Sequence, residues 1–309
     1  MVSPKDIKRI LNSPHRILPV VERRLLEDNE ESNEKRDKLH LHPSEICKKD
    51  WCPRSSYYRI IGLPEKDESF SLQRLNVFAE GHAIHQKWQK WIQDAGIAEA
   101  VEVPVVDKEH RIMGHADAVI VDKKGRAVLE IKSVGVGTIR FEDYGLFAPY
   151  AKNEITIDAL WSSVKHPFDS HVRQLQLYMH CLGIHDGIII YEWKPTQDVK
   201  EFSVPYQPEL VAPILASCMT VQLSLEEELP PDRPSWLSPT HRVCKSCSFK
   251  GECWKGYENS SDTGQSENGG SGWGPSGERG EQVSEDIQPP RQTDLGDSRD
   301  SREPRRVIR

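Results

Sequence analysis

Apolar residues dominate two neighbouring stretches of the chain, residues 115–121 and 126–132, and the polar connection Asp-Lys-Lys-Gly at 122–125 separates them. Both stretches are rich in Val, Ile and Ala, and each is only seven residues long. Short β-forming runs on either side of such a connection are typical of a β-hairpin. The pattern therefore predicts two antiparallel strands joined by a tight turn.

The predicted hairpin brings two carboxylates and a lysine onto one face. A turn closed symmetrically on residues 123–124 places Asp117 opposite Glu130, and directly opposite residues share a face with Cβ atoms about 4.5 to 5.5 Å apart. Because side chains alternate along a strand, Lys132 joins Glu130 on this face, whereas Ile131 points to the other face. The sequence thus predicts a patch made of Asp117, Glu130 and Lys132.

Two facing carboxylates repel one another, and a divalent cation relieves that repulsion. Mg²⁺ or Mn²⁺ prefers oxygen ligands and takes one or two carboxylates together with water and substrate phosphate oxygens. Such an ion activates water and polarises a phosphate, and Lys132 would orient the water and offset developing charge. We interpret the patch as a site of phosphodiester hydrolysis. The structural alternative is that Asp117 caps a strand end and Glu130 pairs with Lys132 on a solvent-facing surface.

Three later segments have patterns that predict secondary structure. Residues 171–182 follow a helical pattern in which Gln174 and Tyr178, four positions apart, lie on one face. Residues 187–193 form a continuous apolar run that predicts a buried strand, and residues 208–228 predict a helix. Together with the hairpin, these segments give the chain both predicted strands and predicted helices.

An upstream amphipathic helix adds a candidate histidine, His85. Apolar, aromatic and histidine positions recur every three or four residues there, at Leu75, Phe78, His82, His85, Trp88 and Ile92. A histidine on an apolar helix face is most often a core residue. The other interpretation is a third metal ligand.

The order of these residues resembles the RecB-type branch of the PD-(D/E)XK nuclease superfamily. Its members place a helix histidine, an aspartate and an acidic-x-lysine strand around a metal ion, followed by a Q-x-x-x-Y helix. The resemblance implies an α/β fold with a mixed sheet flanked by helices. It implies that the ion is bound by His85, Asp117, Glu130 and the Ile131 carbonyl. It also implies that Lys132 is catalytic, and that Gln174 and Tyr178 contact the DNA backbone near the cut.

Seven cysteines are present, and three of them form the spacing C-x2-C-x5-C at Cys244, Cys247 and Cys253. Cys52 is the favoured fourth ligand of a thiolate-bound metal centre, and thiolates suit both iron-sulfur clusters and zinc. The zinc alternative combines Cys47 and Cys52 with Cys244 and Cys247. Structural disulfides are disfavoured because no secretory signal precedes these cysteines.

The cysteine pattern is similar to that of iron-sulfur exonucleases of the CRISPR-associated type-four family, AddB-like nuclease domains and many bacteriophage exonucleases. The similarity rests on a Cys-Pro-Arg start at Cys52 and the late C-x2-C-x5-C, and it runs from about His42 to Trp254. It implies a 4Fe-4S cluster, ligated by Cys52, Cys244, Cys247 and Cys253, that holds the two ends of the nuclease domain together.

Composition divides the 309 residues into three parts. We predict a charged helical segment at residues 1–40, a nuclease domain at 41–258 and a disordered tail at 259–309, where apolar residues are almost absent. Because no apolar run looks long enough to cross a membrane and no signal peptide is recognised, the sequence predicts a cytoplasmic protein with no membrane partner.

The formal net charge of −7 gives no support to DNA binding, although a nuclease needs only a local positive groove. Candidate groove residues are Lys48, Lys49, Arg54, Arg59, Arg140 and Arg173. Residues 133–173 are expected to arch over the site and admit a single strand, with Phe147, Tyr150 or Trp161 as stacking surfaces.

The sequence therefore favours a metal-dependent exonuclease that acts on single-stranded DNA or DNA ends. One alternative is an endonuclease of the same fold, and another is a non-catalytic subunit that binds DNA ends. Recombination, repair and CRISPR spacer acquisition are settings in which such an enzyme would meet partner proteins.

Overall fold

The computed structural model describes residues 15–65 and 71–256, whose centre is a five-stranded sheet in the order β1-β2-β3-β4-β5. Strands β3 and β4 are parallel, and the other neighbours are antiparallel. The fold is therefore α/β with a mixed sheet, as the sequence predicts. The strands are β1 (Ala98–Asp107), β2 (Ile112–Asp122), β3 (Gly125–Val134), β4 (Asp186–Trp193) and β5 (Val199–Pro205).

The β2–β3 hairpin has the predicted register. Asp122 pairs with Gly125 across the turn, and the ladder continues to Ala118 opposite Leu129. The Asp122 carboxylate accepts a hydrogen bond from the Lys124 backbone N–H at 2.7 Å, which closes the turn. Gly125 has a φ of +124°, a backbone conformation that residues other than glycine rarely adopt.

Helices cover both faces of this sheet. They are α1 (Leu18–Lys35), α2 (Pro43–Ile46), α3 (Pro53–Ile60), α4 (Leu72–Asp94), α5 (Val136–Glu142), α6 (Tyr144–Ala151), α7 (Ile157–Ser163), α8 (Asp169–Leu182), α9 (Pro208–Glu226), α10 (Arg242–Ser246) and α11 (Lys250–Cys253). The predicted strand at 187–193 and the predicted helices at 171–182 and 208–228 match β4, α8 and α9 closely.

Alternate residues of β3 enter different apolar clusters. Leu129 and Ile131 pack against α4 on one face, whereas Val128 and Val134 pack with α8 on the other. The side chain of Ile131 is therefore buried on the opposite face from those of its neighbours in sequence, as strand alternation predicts. Glu130 and Lys132 belong to the face that α8 covers.

The buried stripe of α4 differs from the prediction. Phe78 and His82 are exposed, and Ile84 and Gln89 are buried instead. The physical reason is that Gln89 has polar partners inside: its amide donates to the Asp117 carbonyl at 3.2 Å and to Glu102. A buried amide with such partners is tolerated, so the stripe does not follow hydrophobicity alone.

Helix α9 is long and apolar enough, by length and composition alone, to cross a membrane, contrary to the expectation that no such run exists. Its buried residues Val211, Ile214, Cys218 and Val221 lie on one side and pack in a cluster with α3 and Phe249. This one-sided packing is typical of a core helix.

The segment between β3 and α8 folds into α5, α6 and α7. Trp161 is only 6% exposed and stacks on Trp193 with ring centroids 5.1 Å apart, so it is a core residue and the prediction of a stacking surface for DNA is wrong at this position. Phe147 and Tyr150 pack partly buried against the same cluster. The tail predicted at 259–309 lies outside the described residues.

Candidate active site

Asp117 lies at the end of the β2–β3 ladder, and both of its carboxylate oxygens are hydrogen-bonded. The backbone N–H of Ile131 donates to Oδ2 at 2.6 Å, and His85 Nδ1 donates to Oδ1 at 3.0 Å. Burial lowers the pKa of His85, but the hydrogen bond to Asp117 and its charge outweigh that effect, so the net pKa is raised. Helix α4 thus delivers His85 to the carboxylate that β2 supplies.

Glu130 is 1% exposed, and its two oxygens have different surroundings. Oε1 pairs with Lys132 Nζ at 2.5 Å, whereas Oε2 is buried and has no hydrogen-bond partner among the residues that the structure describes. Burial raises the pKa of Glu130; the charge of Lys132 opposes this, and the Asp117 carboxylate adds to it. A buried carboxylate oxygen that no donor satisfies is costly and indicates a site for a cation or another ligand.

A short chain of hydrogen bonds holds Lys132 in place. Lys132 Nζ donates to Gln174 Oε1 at 3.1 Å, and Gln174 Nε2 donates to the Tyr178 hydroxyl at 3.0 Å. Gln174 and Tyr178 are 7% and 3% exposed, so both belong to the interior, and burial raises the pKa of Tyr178 far above its usual range. These side chains position Lys132; the predicted contact with DNA stays a prediction.

Two residues beside Lys132 were not singled out from the sequence. His171 lies on α8 one turn before Gln174, and Tyr191 on β4 reaches it with a hydroxyl-to-Nδ1 distance of 2.6 Å. Burial and the charge of Lys132 hold the pKa of His171 well below its usual range. The spacing of three from Gln174 was the available signal, because it puts both side chains on one helix face.

The donor set fits a divalent cation. Among the described residues, no three His, Cys, Asp or Glu side chains come close enough to chelate an ion by themselves. Mg²⁺ does not require such a cage, since one or two carboxylates with water and substrate phosphate suffice. Asp117 and the unpartnered Glu130 Oε2 supply that arrangement. His85 holds Asp117 through Nδ1, and its Nε2 makes no hydrogen bond with residues 15–65 or 71–256.

The four cysteines of the predicted cluster come together around one open cavity of about 1440 Å³. Burial raises the pKa of the Cys52 thiol, and the charges of Cys253 and Cys244 raise it further. Burial also raises the pKa of the Cys247 thiol, and the charges of the other three cysteines add to this effect. The chain ends of the domain thus meet at Cys52, Cys244, Cys247 and Cys253. All seven cysteines are free thiols.

Cys47 lies elsewhere. It is buried in the apolar cluster around α3 and α9, and burial raises its pKa to about 12, with Arg173, Glu130 and Lys132 among the charges that act on it. Cys47 is not among the residues that line the cavity shared by the other four cysteines.

No family model matches this chain, and no curated protein matches it. The crystal structure of SSO0001 is similar over 74% of this chain and 93% of that chain, with 19% identity and a TM-score of 0.43. LHK-Exo in complex with dAMP is similar over 62% and 90%, with 13% identity and a TM-score of 0.41. The alkaline exonuclease LHK-Exo from Laribacter hongkongensis is similar over 61% and 89%, with 12% identity and a TM-score of 0.38. All three scores lie below 0.5, so the functional conclusion depends on the geometry of the site.

If Asp117 and Glu130 bind a divalent ion, that ion should stabilise the folded protein. Mn²⁺ at about 100 times its Kd should raise the free energy of unfolding by about 2.7 kcal/mol, which corresponds to a melting temperature roughly 5 to 10 °C higher. Asp117→Asn should remove this shift in a thermal melt, because one of the two ligands loses its charge.

The matched control is Asp122→Asn, at the turn of the same hairpin, which should keep the full Mn²⁺ shift. An equal shift in Asp117→Asn and the wild type would show that the ion binds elsewhere.

Proposed function

We propose that the protein is a divalent-metal-dependent deoxyribonuclease of the PD-(D/E)XK type. The observation that carries the proposal is the buried pair Asp117 and Glu130, with an unpartnered Glu130 oxygen and with Lys132 fixed beside it by Glu130 and Gln174. A non-catalytic subunit that binds DNA ends has no need of a buried lysine aligned with two carboxylates. We therefore favour an enzyme over a binding module.

Asp117, Glu130 and the Ile131 carbonyl would hold Mg²⁺ or Mn²⁺, with His85 as a further ligand or as the group that orients Asp117. When bound, the ion supplies Lewis acidity at the scissile phosphate. Lys132 carries a positive charge, because the carboxylates of Glu130 and Asp117 raise its pKa more than burial lowers it. The ammonium group would offset the negative charge that develops on the phosphate and would orient the attacking water.

Gln174 and Tyr178 keep that ammonium group in place. Since Tyr178 stays protonated, its hydroxyl accepts from Gln174 and can donate in turn, and the Gln174 carbonyl oxygen remains directed at Lys132. Preorganised groups of this kind need no rearrangement during the reaction. The two residues act on the chemistry through Lys132.

We further propose exonuclease action on single strands or ends. Its support is the helical segment that follows β3 directly: Tyr144 is 64% exposed, and its ring lies 5.8 Å from that of Phe147. The Arg140 guanidinium also lies 5.8 Å from the centroid of the Phe147 ring. Adjacent aromatic rings with a cation are suited to unstacked bases and a phosphate backbone.

The cysteine centre is proposed to be a 4Fe-4S cluster on Cys52, Cys244, Cys247 and Cys253. Four thiols around one cavity support it. A cluster of four irons and four sulfides is larger than one zinc ion, so its thiolates stand further apart. Seven free thiols also fit a reducing compartment such as the cytoplasm.

The first test of the proposal is loss of cleavage. Lys132→Ala should reduce Mg²⁺- or Mn²⁺-dependent degradation of linear single-stranded DNA by roughly a thousandfold, as expected when a group that stabilises transition-state charge is removed. The rate of release of acid-soluble nucleotides measures this. Lys123→Ala, at the exposed hairpin turn, is the matched control and should cleave normally. A wild-type rate of degradation in Lys132→Ala would show that Lys132 has no role in catalysis.

The second test separates exonuclease from endonuclease. If a strand must enter by its end, linear single-stranded DNA should be degraded while a closed circle of the same sequence survives, as measured on a denaturing gel. Rapid cutting of the circle would establish the endonuclease alternative.

The third test concerns the cysteine centre. Anaerobically prepared protein should absorb broadly at roughly 400 nm and contain about four irons per chain. Cys52→Ala should lose the iron and lower the melting temperature, because metal binding at a site built from distant segments is coupled to folding.

Cys47→Ala is the control and should keep its iron, since Cys47 does not line the cavity that the four thiols share. Protein that carries one zinc ion and loses it in Cys47→Ala would replace the iron-sulfur proposal with the zinc alternative and leave the nuclease proposal intact.

A further inference from the structure

His171 shares a helix face with the two residues that position Lys132. It precedes Gln174 by three residues and Tyr178 by seven, which is one turn and two turns of α8. The charge of Lys132 acts directly on the imidazole. The ring is half-buried, with Phe168 and Tyr191 packed edge-to-face at centroid distances of 5.7 and 5.4 Å.

Hydrogen bonds to Tyr191 determine which ring nitrogen carries the proton. The backbone N–H of Phe168 donates to the Tyr191 hydroxyl oxygen at 2.8 Å, so this oxygen already accepts one hydrogen bond. Tyr191 is fully buried, and within the described residues His171 Nδ1, at 2.6 Å, is the one acceptor that its hydroxyl proton can reach. A buried hydroxyl without an acceptor would be costly, so Tyr191 donates to Nδ1. The neutral ring therefore carries its proton on Nε2.

The Nε2–H group is a donor with no hydrogen-bond partner among residues 15–65 and 71–256. The ring lies on the side of the sheet that carries Lys132, because its partner Tyr191 is opposite Lys132 in the β3–β4 register and Gln174, one turn further along α8, accepts from Lys132 Nζ. Burial and the Lys132 charge keep the pKa of His171 low, so the ring stays neutral. A neutral donor next to a fixed cation suits an anionic oxygen, because it adds a hydrogen bond without adding a second positive charge to repel Lys132.

We propose that His171 donates a hydrogen bond from Nε2 to a non-bridging phosphate oxygen of the DNA strand bound at the carboxylate site, and that Tyr191 positions it by fixing its tautomer. The inference rests on the proposed nuclease function and adds a residue to its substrate contacts. Tyr191 and the Phe168 backbone then form a buried support that keeps the imidazole in one orientation.

The first experiment needs no cleavage. Nitrogen-15 NMR of histidine-labelled protein at neutral pH should show His171 as a neutral ring with the proton on Nε2, and Tyr191→Phe should disturb that signature. Addition of a short oligothymidylate with Ca²⁺, which occupies hard-oxygen sites, should shift the His171 Nε2 resonance. A ring protonated on Nδ1, or a resonance that the oligonucleotide leaves unchanged, would overturn the inference.

The second experiment uses single-turnover cleavage rates. His171→Ala should lower the rate about 10- to 100-fold, and His171→Gln, whose amide can still donate, should recover part of the loss. Tyr191→Phe should lower the cleavage rate less than His171→Ala does. The double variant His171→Ala/Tyr191→Phe should be no slower than His171→Ala, because Tyr191 acts through His171.

His180→Ala is the matched control. His180 lies on the same helix and also hydrogen-bonds a tyrosine, Tyr206 at 2.8 Å, but it is exposed at the far end, so its loss should leave the rate unchanged. Full activity in His171→Ala, or additive losses in the double variant, would refute the proposed role of His171 and leave the nuclease proposal standing. A wild type that fails to cleave with any divalent ion would instead refute the nuclease proposal.

Discussion

The burial of Glu130 beside Asp117 is the constraint on which the rest of the site depends. A carboxylate at 1% exposure is largely out of contact with water, and within the described part of the chain only one of its oxygens has a partner. Lys132 satisfies Oε1, and breaking that pair would leave an uncompensated buried charge. A cation or a hydrogen-bond donor at Oε2 would therefore complete the arrangement.

The mixed sheet places each participant where this constraint requires it. The tight hairpin brings Asp117 next to β3, and the backbone of Ile131 itself donates to the aspartate. The parallel neighbour β4 supplies Tyr191 on the face that α8 covers, so one helix presents its polar stripe to Lys132 while its apolar side packs into the core. The cysteines then join the segments before β1 and after β5 at a separate cavity.

Local sequence patterns predicted the β2–β3 hairpin and α8, but they did not predict the edge strands of the sheet. The register of the hairpin followed from its turn, and the spacing of Gln174 and Tyr178 defined α8. Strands β1 and β5 were not predicted, because each lies at an edge of the sheet and buries only one of its residues, so neither has the apolar run of a central strand. The buried stripe of α4 was misassigned since Gln89 is buried through hydrogen bonds that no periodicity contains. The pairing of Tyr191 with His171 joins residues on different elements, so only the folded chain reveals it.

The central claim is that Asp117 and Glu130 together bind a catalytic divalent ion. Anomalous diffraction at the manganese edge, from crystals soaked in Mn²⁺, tests it most directly. The account predicts a peak in contact with the Asp117 carboxylate and Glu130 Oε2, at Mn–O distances of roughly 2.0 to 2.3 Å, as for hard cations on oxygen, and its loss in Asp117→Asn. A map with no peak between these two carboxylates, in crystals that show Mn²⁺ bound elsewhere, would contradict it.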